Sequence, residues 1–190
     1  MTEAAEPNGA ERLLRDASAL LDGHFQLTSG KHSAKYVEKF RLLERPVQTE
    51  ALCRMMAQWA QPLRPQLVAG PTTGGIIISY EVARLLGLRS IFAESLNGGG
   101  RAFQRGFTIA HGERVLVVDD VLTTGGSVRE VLSAVRDMEG AVAGVAVLID
   151  RTGGKADFGV PFFACLTLDL PSYEAPHCPL CAEKMPLTVT

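Results

Sequence analysis

One segment constrains the fold of this chain more than any other: Val115-Leu116-Val117-Val118-Asp119-Asp120-Val121-Leu122-Thr123-Thr124-Gly125-Gly126-Ser127. Its apolar start offers no polar face to water, so a strand at 115–118 must be covered on both sides, as in a parallel sheet. Two adjacent carboxylates end the strand. A turn of small and hydroxyl residues follows, and 128–138 reads as a helix. The same order recurs upstream: a strand at 66–69, a Gly/Pro/Thr loop at 70–75, a helix at 76–86 ended by Gly87, and a strand at 89–93. Further strands are expected at 142–149 and 162–168. Strand–loop–helix alternation predicts an α/β fold with a mostly parallel central sheet and helices on both faces.

Outside that pattern the signals are local. Residues 1–9 read as a loose tail. Leu13, Leu14, Ala17, Leu20 and Leu21 predict a helix from Glu11 to Gly23. Pro46 is suited to open a helix, since its missing N–H costs nothing in the first turn. Val47, Ala51, Leu52, Met55, Met56 and Trp59 continue it, and that stripe reads as core packing. Asn97-Gly98-Gly99-Gly100 reads as a flexible tip and 105–109 as an extended arm. With 190 residues the chain suits one domain. Its 19 Lys and Arg against 21 Asp and Glu lack the basic excess of a duplex-binding protein. No apolar run reaches the ~18 residues of a membrane span. The acidic start is not a secretory signal, and four cysteines are no disulfide framework, so a cytoplasmic protein is expected.

The acid pair and the turn ask for a particular ligand. Ligands of open α/β sheets bind outside the C-terminal strand ends. Glycines let the backbone approach a ligand, and a helix N-terminus supplies N–H donors and positive potential. Residues 123–127 therefore suit a phosphate monoester. Carboxylates would repel phosphate but accept hydrogen bonds from vicinal sugar hydroxyls. Together the two halves call for a sugar phosphate. No Lys follows the glycines as in a Walker loop, and the dinucleotide pattern is absent.

This segment resembles the phosphoribosyl-pyrophosphate (PRPP) motif of the type I phosphoribosyltransferases. Thr28-Ser29-Gly30-Lys31, Gly70-Pro71-Thr72-Thr73-Gly74-Gly75 and Asp150-Arg151 make the chain similar to the orotate phosphoribosyltransferases in their shorter bacterial and archaeal form. The resemblance implies the type I fold in a single domain over 1–190, with a small N-terminal hood at about 10–45 and a C-terminal tail at 174–190. It implies transfer of ribose 5-phosphate from PRPP to orotate, giving orotidine 5-phosphate and pyrophosphate in pyrimidine biosynthesis. Asp119 and Asp120 would hold the ribose hydroxyls. Val121, Leu122, Thr123, Thr124, Gly125, Gly126 and Ser127 would bind PRPP, with 123–127 clasping its 5-phosphate. Thr72, Thr73 and Gly74 would bind pyrophosphate. Arg151 would meet the orotate carboxylate and Thr123 would lie close to orotate, beneath a hood of Thr28, Ser29, Gly30 and Lys31. Tyr36 and Phe40 suit either the hood or simple core packing. Lys31, Lys35, Lys39 and Arg41 form a basic cluster expected at the rim of the site.

The chain departs from the longer enzymes of the family. Residues 94–107 contain no lysine and no histidine, and the pyrophosphate loop has no lysine. Arg101 and Arg105 are left as candidate catalytic cations, able to stabilise departing pyrophosphate but poor proton donors. The family's mobile loop implies a homodimer with active sites shared between subunits. Mg2+ is implied as cofactor, held mostly by substrate oxygens and water, with no protein metal ligands assigned. Neither a nucleic acid nor a membrane is expected as partner. A purine phosphoribosyltransferase and a non-catalytic PRPP-sensing regulator are the alternatives, the second disfavoured by the missing basic face.

His177-Cys178-Pro179-Leu180-Cys181 stands apart. A structural zinc site needs four ligands, usually from two knuckles, and the chain holds one. The expectation is a tail packed through Pro179 and Leu180 with incidental cysteines. A site shared across a dimer and a reversible disulfide are the alternatives.

Overall fold

The structure, a computed structural model, describes residues 9–27 and 29–190. The expected tail at 1–9 lies outside the described residues except Gly9, as does Thr28. In chain order the elements are α1 (Gly9–Asp16), β1 (Leu20–Gln26), β2 (His32–Val37), α2 (Lys39–Leu43), α3 (Pro46–Ala60), β3 (Leu67–Pro71), α4 (Gly74–Leu86), β4 (Arg89–Ser95) and β5 (Arg101–Phe103). They continue with β6 (Arg114–Leu122), α5 (Gly126–Asp137), β7 (Ala141–Asp150), β8 (Phe162–Thr167), β9 (Ser172–Tyr173), α6 (Pro179–Ala182) and β10 (Thr188–Val189).

Six strands form the central sheet in the order β5-β4-β3-β6-β7-β8. All pairs are parallel except β4 with β5, which is antiparallel at one edge. β6 shows why residues 115–118 are all apolar. Leu116 and Val118 face the core under α3 and α4, with Leu52, Met56, Ile78 and Val82. Val115 and Val117 face the core under α5, with Val128, Val131 and Leu132. Side chains alternate across a strand, so a strand between two helical layers needs apolar residues at both parities. Each such side chain, fully buried, contributes about 1.5–3 kcal/mol.

The chain leaves β3 toward β4 and leaves β6 toward β7, in opposite directions from adjacent strands. That reversal opens a crevice at the carboxyl ends of β3 and β6. Residues 71–74 and 119–127 border it.

A second sheet of four short strands, β10-β1-β2-β9, forms the hood. It is built from both ends of the chain, where the sequence pointed to the N-terminal end alone. The helix expected to Gly23 stops at Asp16. Ser18 turns the chain with φ 53°, and Leu20 and Leu21 pair with Val37 and Tyr36 as strand. Cross-strand pairing overrides the helical spacing of those leucines.

The stripe on α3 is core as expected at Leu52 and Met56, and Trp59 stacks on Phe163 with ring centroids 5.4 Å apart. Val47 is the exception and is 78% exposed. Of the extended arm expected at 105–109, Arg105 and Gly106 form a turn and 107–109 belong to no strand. The strand that pairs back on β4 is β5, and residues 97–100 make the hairpin tip between them.

Candidate active site

A cleft of about 340 Å³ lies over the crevice, lined by residues of the hood, the loop after β3, the loop after β6 and the end of β7. Asp119, Asp120, Thr72, Thr73, Gly74, Val121, Thr123, Ser127 and Arg151 meet there. Beside it a small cup is formed by Leu122, Thr124, Gly125 and Gly126 together with Thr123 and Ser127. Gly125 holds φ 82° at the N-cap of α5, a conformation that favours glycine. The first N–H groups of α5 have no acceptor within the helix and open toward this cup.

Asp119 and Asp120 are both buried but reach different sides of the strand. As neighbours on a strand they point to opposite faces. Asp119 borders the cup. Asp120 turns to the other side, where its Oδ2 meets Lys39 Nζ at 2.8 Å. Burial, then the charge of Asp120, push the Asp119 carboxyl up to about 7. The Asp120 backbone N–H, Lys39 and Arg101 act against that rise.

The loop after β3 is packed to the limit of its side chains. A Cβ on Gly74 would overlap the Asp120 carboxylate, and one on Gly70 would overlap the Gly75 carbonyl. The glycines thus let the loop after β3 lie against the acid pair of β6. The Thr72–Thr73 peptide is cis.

Arg151 follows the end of β7. The Asp150 carboxylate, fully buried, accepts the backbone N–H groups of Thr152 at 2.7 Å and Gly154 at 3.1 Å. Those bonds hold the turn that presents Arg151. The guanidinium is partly buried, which lowers its pKa from the ordinary value. Its buried Nε has no hydrogen-bond partner. A forked cation with unspent donors, in a cleft, is a receptor for a planar carboxylate.

The two loop arginines separate. Arg101 Nη1 donates to Thr72 Oγ1 at 2.9 Å and to the Thr72 and Ala93 carbonyls at 3.3 Å. Its Nε pairs with Glu130 at 3.2 Å. It thus braces the loop after β3 of its own chain, where the resemblance implied a reach to a partner. Arg105 lies outside the cleft, exposed and paired with Glu94 at 2.7 Å. Ser29, Gly30 and Lys31 form the exposed β1–β2 turn and do not line the cleft, and Lys31 pairs with Glu174 at 3.2 Å. Thr28 lies outside the described residues.

Lys39 was expected only as part of a basic rim. It lies within the cleft, because α2 begins directly after β2 and carries it to Asp120. Tyr36 and Val37 line the same wall, while Phe40 is 51% exposed. No spacing rule links residue 39 to residue 120. The only sequence signal was its membership of the basic cluster.

The phosphoribosyl transferase domain model matches residues 47–169. An orotate phosphoribosyltransferase of Caldicellulosiruptor bescii is 47% identical over 176 residues, covering 93% of this chain and 92% of that protein. One from Pelotomaculum thermopropionicum is 49% identical over 174 residues, covering 92% and 91%. Among solved structures, the crystal structure of orotate phosphoribosyltransferase from Aeropyrum pernix matches with a TM-score of 0.68 and 28% identity, over 83% of this chain and 92% of that one.

Proposed function

Because this chain belongs to the orotate phosphoribosyltransferase family, we propose that its cleft transfers ribose 5-phosphate from PRPP to orotate, releasing pyrophosphate. The observation that carries the base specificity is Arg151: a partly buried guanidinium with an unpaired Nε, beside a phosphate cup and an acid pair. A purine has no carboxylate to satisfy it.

Each residue has work consistent with its position. The cup at 123–127 binds the 5-phosphate through backbone N–H groups and hydroxyls. Asp119 and Asp120 accept the ribose hydroxyls, with Lys39 balancing the charge of Asp120. Thr72, Thr73 and Gly74 receive the pyrophosphate, and Arg101 steadies Thr72 as negative charge builds on the leaving group. Arg151 orients the orotate ring for displacement at the anomeric carbon. Orientation and leaving-group stabilisation are the main catalytic terms such a site offers.

The donor set fits Mg2+ only as an ion carried by substrate. The cleft has two carboxylates, one already paired with Lys39. An ion that keeps waters and substrate oxygens needs no more. Bound there with PRPP, it would neutralise pyrophosphate charge.

The pairing surface we propose for a homodimer lies on α3 and α4. Exposed Ile77 and Tyr80 line an apolar groove there, with Leu43, Pro46 and Ile76. Among the described residues no helix is long and apolar enough to cross a membrane.

Turnover measured with orotate, uracil, adenine, hypoxanthine and xanthine tests the reading. Orotate alone should be used efficiently. Uracil, which lacks the carboxylate, should lose at least a hundredfold in kcat/KM, about 3 kcal/mol. Efficient use of a purine in preference to orotate would overturn the assignment.

A further inference from the structure

We propose that His24, His32, Cys178 and Cys181 form a structural zinc site that fastens the C-terminal tail to the hood. Their ligand atoms all lie within 4.8 Å of one another. His24 Nε2 is 2.9 Å from His32 Nδ1. The Cys178 Sγ is 3.6 Å and the Cys181 Sγ 3.7 Å from His24 Nε2, and Cys181 Sγ is 3.3 Å from His32 Nδ1. A tetrahedral ion with Zn–N of about 2.0 Å and Zn–S of about 2.3 Å needs ligand atoms roughly 3.3–3.8 Å apart. The four atoms already stand close to that arrangement.

The chemistry of the set agrees. Two sulfurs and two imidazole nitrogens are a common composition of closed zinc sites. Two thiolates and two neutral imidazoles would cancel the charge of Zn2+, which suits a place where His24, His32 and Cys178 are all buried. His24 Nδ1 lies 3.0 Å from the Met185 carbonyl oxygen. Donating its proton there leaves Nε2 bare and aimed into the cluster, the usual orienting contact of a metal-bound histidine. Both cysteines are free of disulfides.

Local structure explains how a single knuckle finds two more ligands. Gly23 and His24 lie in a bulge of β1, where the register to β2 shifts between Asp22 and Phe25. A bulge re-aims a side chain, and here His24 and Phe25 are buried in succession. His32 opens β2, opposite Gln26. The tail reaches both through β9, which pairs with His32 and Ser33, and through β10, which pairs with Phe25 and Gln26. The incidental-tail expectation is thereby replaced: the cysteines meet two buried histidines about 150 positions away within the same chain.

The whole chain, purified under reducing conditions without an affinity tag, should carry close to one zinc per chain by plasma mass spectrometry. Refolded with Co2+ in place of zinc, it should show the intense visible bands of a tetrahedral site and a sulfur-to-cobalt charge-transfer band. Cys178→Ser and Cys181→Ser should each lose most of the zinc and both cobalt signatures, while Cys165→Ser, outside the cluster, should keep them. The cobalt spectrum of the unmodified chain does not depend on how well any variant folds. A reduced chain that holds no zinc and takes up neither ion would overturn the proposal. So would a Cys178–Cys181 disulfide in the freshly isolated protein, or a Cys178→Ser chain that keeps its full zinc.

Discussion

At Asp119, burial and the neighbouring Asp120 charge push the carboxyl up to about 7, well above the ~3.9 of an unfolded chain. Between those values the folded state binds more protons than the unfolded one, so stability falls as pH rises through that window. Asp119→Asn should remove that part of the slope. Thermal melts of the ligand-free chain at pH 5 and pH 8 should show the variant gaining on the parent by about 1–3 kcal/mol at the higher pH. Parallel curves would mean that Asp119 is charged throughout. At Arg151 the loss is of binding. Arg151→Ala should raise the orotate KM at least thirtyfold, about 2–4 kcal/mol, and change the PRPP KM far less. An unchanged orotate KM would remove the carboxylate role.

The β4–β5 hairpin is the element on which sequence and structure differ most in consequence. Glycines at 98–100 all take positive φ and turn the chain tightly enough for Arg101 to fold back over Thr72. Arg101→Ala should lower kcat about 10–100-fold with a smaller effect on the orotate KM, since pyrophosphate charge grows in the transition state. Arg105→Ala, at an exposed ion pair, should change little. Mixed dimers of Arg101→Ala and Asp120→Asn chains separate two geometries. With Arg101 serving its own chain, every site lacks one group and activity stays low. Recovery toward half the parental value would place the hairpin over the neighbouring subunit's cleft.

For the whole molecule, the uncovered groove between α3 and α4 sets the expected assembly. Tyr80 at 66% exposure and Ile77 at 42% are apolar surface that a lone chain gains nothing by showing to water. A symmetric pair would bury the same patch on both copies. Light scattering on the intact chain should give the mass of a dimer, and Tyr80→Glu should shift it toward monomer at micromolar concentration. A parent chain that runs as a monomer would leave the groove without this partner.

The parallel strands of the central sheet, the cup at 123–127 and the paired loops at the switch point were legible in the sequence, while the edge strand β5 was not. Each rests on local physics: apolar runs buried on both faces, glycines where backbone must approach, a helix start where N–H groups are free. Its reading failed where pairing between distant segments decides. Leu20 and Leu21 carry helical spacing, yet their hydrogen bonds go to β2. Lys39 carries no mark of Asp120, and His24 and His32 carry none of Cys178 and Cys181, because ion pairs and ligand clusters are set by distances in space. Only the tertiary structure, by closing the hood from both ends of the chain, brings these groups within reach of one another.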